Sequence, residues 1–151
     1  MKLATALSER ADVQKRISDL SVRLNNNAKV QEGETPAEDP KELLAELDDC
    51  FLRLEELIRS INKTNNETVN ADGASITDLI AKRDCLKQRI GIMRDFLNNS
   101  SDRVSRYSKT EIKIYSTVPV PELQKTVDRY SKELRETDEE IQSLNWTTDL
   151  M

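Results

Sequence analysis

Apolar side chains recur at alternating steps of three and four in residues 40–65, which read PKELLAELDDCFLRLEELIRSINKTN. Such steps place the apolar side chains on one side of an α-helix, close to the seam geometry of a coiled coil. Three other stretches repeat the pattern, so the sequence predicts four long amphipathic helices. The four apolar stripes are Leu3, Leu7, Val13, Ile17, Leu20 and Leu24; Leu43, Leu47, Cys50, Leu54, Leu57 and Ile61; Ile76, Leu79, Leu86, Ile90, Met93 and Leu97; and Leu123, Val127, Tyr130, Leu134, Ile141 and Leu144.

Composition indicates a single helical domain with an aliphatic core. Of the 151 residues, 36% are hydrophobic, 34% are charged and 4% are aromatic, a balance typical of long helices with one solvated face. The net charge of −5 disfavours phosphate backbones, so we expect no nucleic-acid partner. The sequence shows no secretion signal and no apolar run of roughly 20 residues, which predicts a cytoplasmic protein without a membrane partner.

Capping and turn residues place the four helices at about 3–26, 40–65, 76–98 and 120–144. Asp39 is a strong N-cap, and Pro40 suits the first helical position because its missing N–H would be unpaired there. We therefore predict a mainly α protein, a single domain over residues 1–151. Its expected architecture is an antiparallel up-down four-helix bundle with coiled-coil-like helices. Beyond the heptads, no internal repeat of fixed period is expected.

The helical pattern lapses in residues 103–118. Within them, EIKIY at 111–115 alternates with period two and is rich in β-branched and aromatic residues, a strand signature. We predict a β-hairpin over 103–118 that pairs with, or packs on, the same element of another subunit, because an isolated hairpin is marginally stable. Ile112 and Ile114 are expected to face the shared core. Trp146, the only tryptophan, is expected to dock on the bundle or on a neighbouring subunit. Ile112, Ile114 and Trp146 are thus the candidate oligomer contacts.

The chain contains no histidine, which excludes Ser-His-Asp catalysis and histidine-based zinc sites. Its three glycines stand apart, so no glycine-rich phosphate loop exists. We predict no catalytic residue, no cofactor and no metal site. Carboxylate-only catalysis is the one enzymatic option left open, and a non-catalytic protein is favoured over it.

Three polar residues interrupt the apolar stripes: Arg10, Arg83 and Asp138. If the helices alternate up and down, all three lie at a similar height in the bundle. A buried arginine needs a carboxylate, because an unpaired charge in a core costs several kcal/mol. We favour a buried ion-pair layer that fixes helix register. The alternative is a pocket for an anion or small ligand, whose identity the sequence does not specify.

Further apolar residues widen the second and third helices beyond what one seam uses: Leu44, Phe51, Ile58, Ile92 and Phe96. An apolar flank of that extent favours a second partner surface. The sequence therefore predicts a homo-oligomer.

Seven segments spread along the chain resemble the septicolysin-like family, small bacterial proteins of largely uncharacterised function. This resemblance implies a helical domain of unestablished activity, and the family name suggests a cytolysin. The segments are Glu9-Arg10-Ala11-Asp12, Val30-Gln31-Glu32-Gly33-Glu34, Ala37-Glu38-Asp39-Pro40, Ile61-Asn62-Lys63-Thr64-Asn65, Arg83-Asp84, Ser116-Thr117-Val118 and Asn145-Trp146-Thr147-Thr148-Asp149-Leu150.

Three functions are compatible with these features. The preferred one is a non-catalytic, oligomeric helical protein that acts in assembly or protein–protein interaction. The first alternative is a membrane-active, septicolysin-like pore-forming protein that inserts the hairpin at 103–118. The second alternative is an anion-binding or small-ligand-binding protein that works at the Arg10/Arg83 layer.

Overall fold

The computed structural model describes residues 1–101 and 113–151. Four helices account for most of them: α1 (Leu3–Asn26), α2 (Pro40–Glu67), α3 (Ile76–Ser101) and α4 (Val120–Thr147). Each helix begins at the residue predicted from the sequence, and the last three continue for two or three residues beyond the predicted ends. The mainly α class is therefore confirmed.

The predicted β-hairpin at 103–118 is not supported. Residues 102–112 lie outside the described part of the chain, and 113–119 lead into α4 without forming a strand. There the Ser116 hydroxyl donates to the carbonyl of Val118 over 3.0 Å, a local turn contact. The described residues contain two isolated β-bridges and no strand. Period-two alternation sets which way side chains point, but a strand also needs a partner ladder.

The chain divides into two compact units. The first comprises Met1–Ser75 and Ser143–Met151, and the second comprises Ile76–Gln142. Each unit is built around one pair of helices, and this pairing is consistent with a helical bundle.

In the first unit, α1 and α2 form an antiparallel hairpin. Glu9 on α1 pairs with Arg53 on α2 over 2.7 Å, whereas Arg16, two turns further along α1, pairs with Glu46 over 2.6 Å. Residue numbers thus rise along one helix as they fall along the other. The Arg53 hydrogen bond lowers the pKa of the Glu9 carboxyl below its usual value.

In the second unit, α3 and α4 pair in the same sense. Arg83 lies 3.9 Å from Asp138, and Arg94 donates to the Ser131 hydroxyl over 3.2 Å. Arg89 also stacks over the ring of Tyr130, with its guanidinium carbon 4.4 Å from the ring centroid.

The four apolar stripes form the interior of the two units, as predicted. Every residue of the stripes is buried or half-buried, and Leu57 and Ile61 are each 1% exposed. In the first unit, Leu20, Leu43 and Cys50 form one cluster, surrounded by the half-buried members of the α1 and α2 stripes. The three- and four-residue spacing was therefore sufficient to identify the inward faces.

The start of α2 matches its sequence signal. The Asp39 carboxylate accepts from the backbone N–H of Lys41 over 2.9 Å, and Pro40 is the first helical residue. Between α2 and α3, the Asn70 carboxamide oxygen accepts from the N–H groups of Asp72 and Ala74. Gly73 completes this turn with a φ of +84°, a conformation that costs glycine little because it has no Cβ.

The two hairpins repeat one pattern without a fixed period. The α1 stripe maps onto α3 with a shift of 73 residues, and the α2 stripe maps onto α4 with a shift of 80. The shifts differ by seven residues, which is two helical turns, so a search for one fixed period misses the relation while the inward faces stay aligned. The matched positions include Leu3 and Ile76, Arg10 and Arg83, Val13 and Leu86, Ile17 and Ile90, and Leu24 and Leu97; and, on the second pair, Leu43 and Leu123, Leu47 and Val127, Leu54 and Leu134, and Ile61 and Ile141.

An ion pair recurs at the matched positions with its charges exchanged. Glu9 and Arg53 pair over 2.7 Å in the first unit. The residues shifted by 73 and 80 are Lys82 and Glu133, which pair over 3.1 Å in the second unit. The same contact between hairpin partners is thus made twice with opposite polarity.

Candidate association surface on the second helix

The second helix exposes a row of large apolar side chains that does not belong to its buried stripe. Leu44 is 50% exposed, Phe51 is 51% exposed and Ile58 is 37% exposed. These three residues are spaced seven apart, so they lie in one row, about 100° around α2 from the stripe that contacts α1. Leu52, the neighbour of Phe51, widens this exposed face and is 68% exposed.

This face of α2 forms a shallow groove of about 610 Å³. Phe51, Leu52 and Ile58 provide its apolar floor, together with part of Leu54. We call this face, with Leu44, the α2 surface. Its charged members are Asp48, Glu55 and Arg59.

The internal repeat provides a reference for the α2 surface within the same chain. Helix α4 pairs with α3 as α2 pairs with α1, yet its corresponding face is polar. The helical hairpin therefore does not require an apolar surface at these positions, and the apolar side chains of α2 need another explanation. The pairs are Leu44 and Gln124, Phe51 and Ser131, Leu52 and Lys132, and Ile58 and Asp138.

A second, smaller apolar area lies on α3. Ile92 is 64% exposed and Phe96 is 45% exposed. Phe96, Ile114 and Tyr115 are among the residues that line a pocket of about 250 Å³. All five flanking residues predicted from the sequence are thus exposed, as contact with a partner requires.

The other candidate oligomer contacts have different outcomes. Ile112 lies outside the described residues, and Ile114 is 63% exposed. The C-terminal tail docks on the first unit through its backbone, because Leu150 N–H donates to the Met1 carbonyl over 2.8 Å. Trp146 does not dock there: it is 66% exposed, because the neighbouring Asn145, 8% exposed, occupies the inward face. A contact of Trp146 with another subunit stays a prediction.

The three polar residues of the expected layer are less buried than predicted. The Arg83 guanidinium contacts Asp84 over 2.9 Å and Asp138 over 3.9 Å, with 24% of the Arg83 side chain and 46% of the Asp138 side chain exposed. Arg10 is half-buried and forms no ion pair with any residue that the structure describes. Long arginine side chains cover apolar surface with their stems while the charged group reaches water. Position in a stripe therefore did not require full burial.

Arg10 and Arg83 belong to different units, at equivalent positions of the repeat. Arg83 already has two carboxylate neighbours, which disfavours it as a site for a ligand anion. Within 1–101 and 113–151, no group of three potential metal-ligating side chains is present. No helix of this part of the chain is long and apolar enough to cross a membrane.

Comparison with known proteins identifies the family. A family described as a family of unknown function (DUF6847) matches residues 10–150. The chain belongs to this family.

A solved structure supports the same assignment at the level of the fold. It is described as a functionally unknown conserved protein from Corynebacterium diphtheriae, and it is 40% identical to this chain. The match covers 100% of this chain and 99% of that one, with a TM-score of 0.90. No protein with curated annotation matches the chain.

Several residues of the α2 surface were not singled out from the sequence: Asp48, Leu52, Glu55 and Arg59. Leu52 could have been found from the sequence, because it is a large apolar residue next to Phe51 and lies outside the buried stripe. The three charged residues carry no such signal, since a charged residue on an exposed helix face is ordinary.

Proposed function

We propose that this chain is a non-catalytic assembly protein that forms homo-oligomers through the α2 surface. One observation carries the proposal: the equivalent face of α4 is polar, although both helices serve the same purpose in their hairpins. A cluster of exposed apolar side chains usually marks an association site when the fold does not require apolar residues there. The setting that we propose is a cytoplasmic up-down four-helix bundle.

A homo-oligomer fits the surface better than the two alternatives do. Anion binding at Arg10 and Arg83 would compete with the carboxylates that already contact Arg83. A pore-forming activity, which the septicolysin-like resemblance suggests, relied on a hairpin at 103–118 that is not supported. The α2 surface instead offers a long face with heptad spacing, the geometry in which helices pack against helices.

The molar mass of the purified full chain tests this proposal. We expect light scattering across the micromolar range to give a particle of at least twice the 17.3 kDa of one chain. The matched control replaces four residues of the α2 surface by their α4 counterparts: Leu44→Gln, Phe51→Ser, Leu52→Lys and Ile58→Asp. This variant should keep its helicity and have the mass of one chain.

A wild-type mass of one chain throughout this range would overturn the proposal. Co-sedimentation with anionic vesicles then separates the alternatives. Binding of a monomeric wild type to vesicles, lost in the four-residue variant, would replace the homo-oligomer by a membrane-active protein.

A further inference from the structure

The charged residues of the α2 surface are ordered along the helix. Asp48 lies in the N-terminal half of α2, Glu55 near its centre and Arg59 in its C-terminal half. Among the described residues, no ion pair involves any of the three, whereas Arg16 and Arg53 in the same unit do pair. Partners for these charges can therefore come from outside the chain.

The spacing of the apolar and acidic residues defines a seam. Leu44, Phe51 and Ile58 alternate with Asp48 and Glu55 at steps of four and three, the spacing of the two core positions of a coiled coil. A helix packed along this seam contacts apolar and acidic side chains alternately.

The orientation of a second α2 on this seam follows from the charges. In a parallel pair, Asp48 would face Asp48 and Glu55 would face Glu55, and like charges at such positions repel. In an antiparallel pair with a two-fold axis near Arg53, Asp48 shares a layer with Ile58 of the second copy. Arg59 of the second copy then lies beside Asp48, within reach of its carboxylate.

We propose that the α2 surface binds the α2 surface of a second copy in antiparallel orientation, with Asp48 of each chain paired to Arg59 of the other. The two-fold axis makes this ion pair twice. Phe51 and Leu52 lie near the axis, where each copy covers the apolar residues of the other. This inference rests on the proposed function and specifies its partner, its orientation and the residues that determine both.

Charge reversal at the two positions tests the pairing. Asp48→Arg places a second guanidinium against Arg59, and Arg59→Asp places a second carboxylate against Asp48. Each variant alone should therefore dissociate at least about tenfold more readily than wild type. In a mixed pair of the two variants, one contact joins the native Arg59 of one chain to the native Asp48 of the other, and the second contact joins the introduced arginine to the introduced aspartate. Both contacts therefore carry opposite charges again. The mixture should associate within about threefold of wild type by sedimentation velocity.

A matched control uses the internal repeat. Asp128 on α4 is the counterpart of Asp48, and Asp128→Arg should leave the dissociation constant unchanged. Circular dichroism of every variant checks that the exposed substitutions leave the helices intact.

A spin label at the exposed residue Lys63 tests the orientation, in a variant with Lys63→Cys, Cys50→Ala and Cys85→Ser. From the rise of 1.5 Å per residue, the antiparallel pair places the two labels about 30 Å apart, whereas a parallel pair places them about 10 Å apart. A distance near the shorter value would overturn the inference.

The outcomes separate this inference from the proposed function. If wild type associates but both charge reversals associate equally well, or the mixture does not recover, the antiparallel pairing is wrong while the homo-oligomer stands. If wild type is a monomer, both are wrong.

Discussion

Phe51 and Leu57 lie on different faces of the same helix and should respond in different ways to truncation. Leu57 is 1% exposed in the interior of the first unit, and Phe51 is 51% exposed on the α2 surface. We predict that Leu57→Ala destabilises the folded chain without acting on association directly. Phe51→Ala should weaken association and leave the folded monomer nearly unchanged.

The exposed fractions of the two side chains determine how much each truncation should change the free energy of unfolding or of association. Removing a fully buried leucine side chain costs about 2–5 kcal/mol, and for a chain of this length roughly 3 kcal/mol lowers the melting temperature by about 6–12 °C. Full burial of a phenylalanine is worth at most about 3 kcal/mol, so covering the exposed half of Phe51 contributes about 1.5 kcal/mol per copy. Two copies lose about 3 kcal/mol together, which is roughly a hundredfold in the dissociation constant.

Two measurements are needed on the same preparations. Urea unfolding, followed by circular dichroism at a concentration where the chain is monomeric, reports the free energy of unfolding. Sedimentation velocity over a concentration series reports the dissociation constant. Phe51→Ala with an unchanged dissociation constant, or with a loss of stability as large as that of Leu57→Ala, would refute the assignment of Phe51 to an association surface.

Three other predictions concern charge and backbone. Arg83→Ala should cost about 1 kcal/mol or less, well under the 3–5 kcal/mol expected for a fully buried pair, because both Arg83 and its carboxylates reach solvent; a loss of the larger size in urea unfolding would contradict this. Arg53 lowers the pKa of Glu9 below 4.5, so the Glu9–Arg53 pair stabilises the folded chain fully above about pH 4.5. This stabilisation is lost as the pH falls through the lower folded-state pKa of Glu9. The melting temperature of Arg53→Gln should therefore depend less on acid pH than that of wild type. Nothing lies within 4 Å of a Cβ built at Gly73 or Gly91, so the effect of an added methyl group on stability depends on the backbone conformation. Gly73→Ala should destabilise the chain by about 1 kcal/mol because its φ is positive, and Gly91→Ala should stabilise α3 by a similar amount because alanine favours the helix. Equal shifts in the two melting temperatures would contradict this.

The candidate surface was partly readable from the sequence. Leu44, Phe51 and Ile58 could be recognised as surplus to the buried stripe, because a helix can bury only one face against a single partner helix. These surplus residues stand out as a distinct surface by comparison with α4, whose face is polar at the same positions. This comparison needs the two hairpins to be aligned element by element, since the shifts of 73 and 80 differ.

The sequence by itself determined the helices, their starting residues and their inward faces. These are local properties: a helical face repeats every three or four residues, and an Asp39-Pro40 cap acts on the next turn. The tertiary structure decided which charges pair, that Arg83 remains half-exposed, that the tail docks through its backbone while Trp146 points outward, and that Asp48, Glu55 and Arg59 have no ion-pair partner among the described residues. Such features depend on which segments meet across long separations in the chain, and periodicity along one segment carries no information about the segment that packs against it.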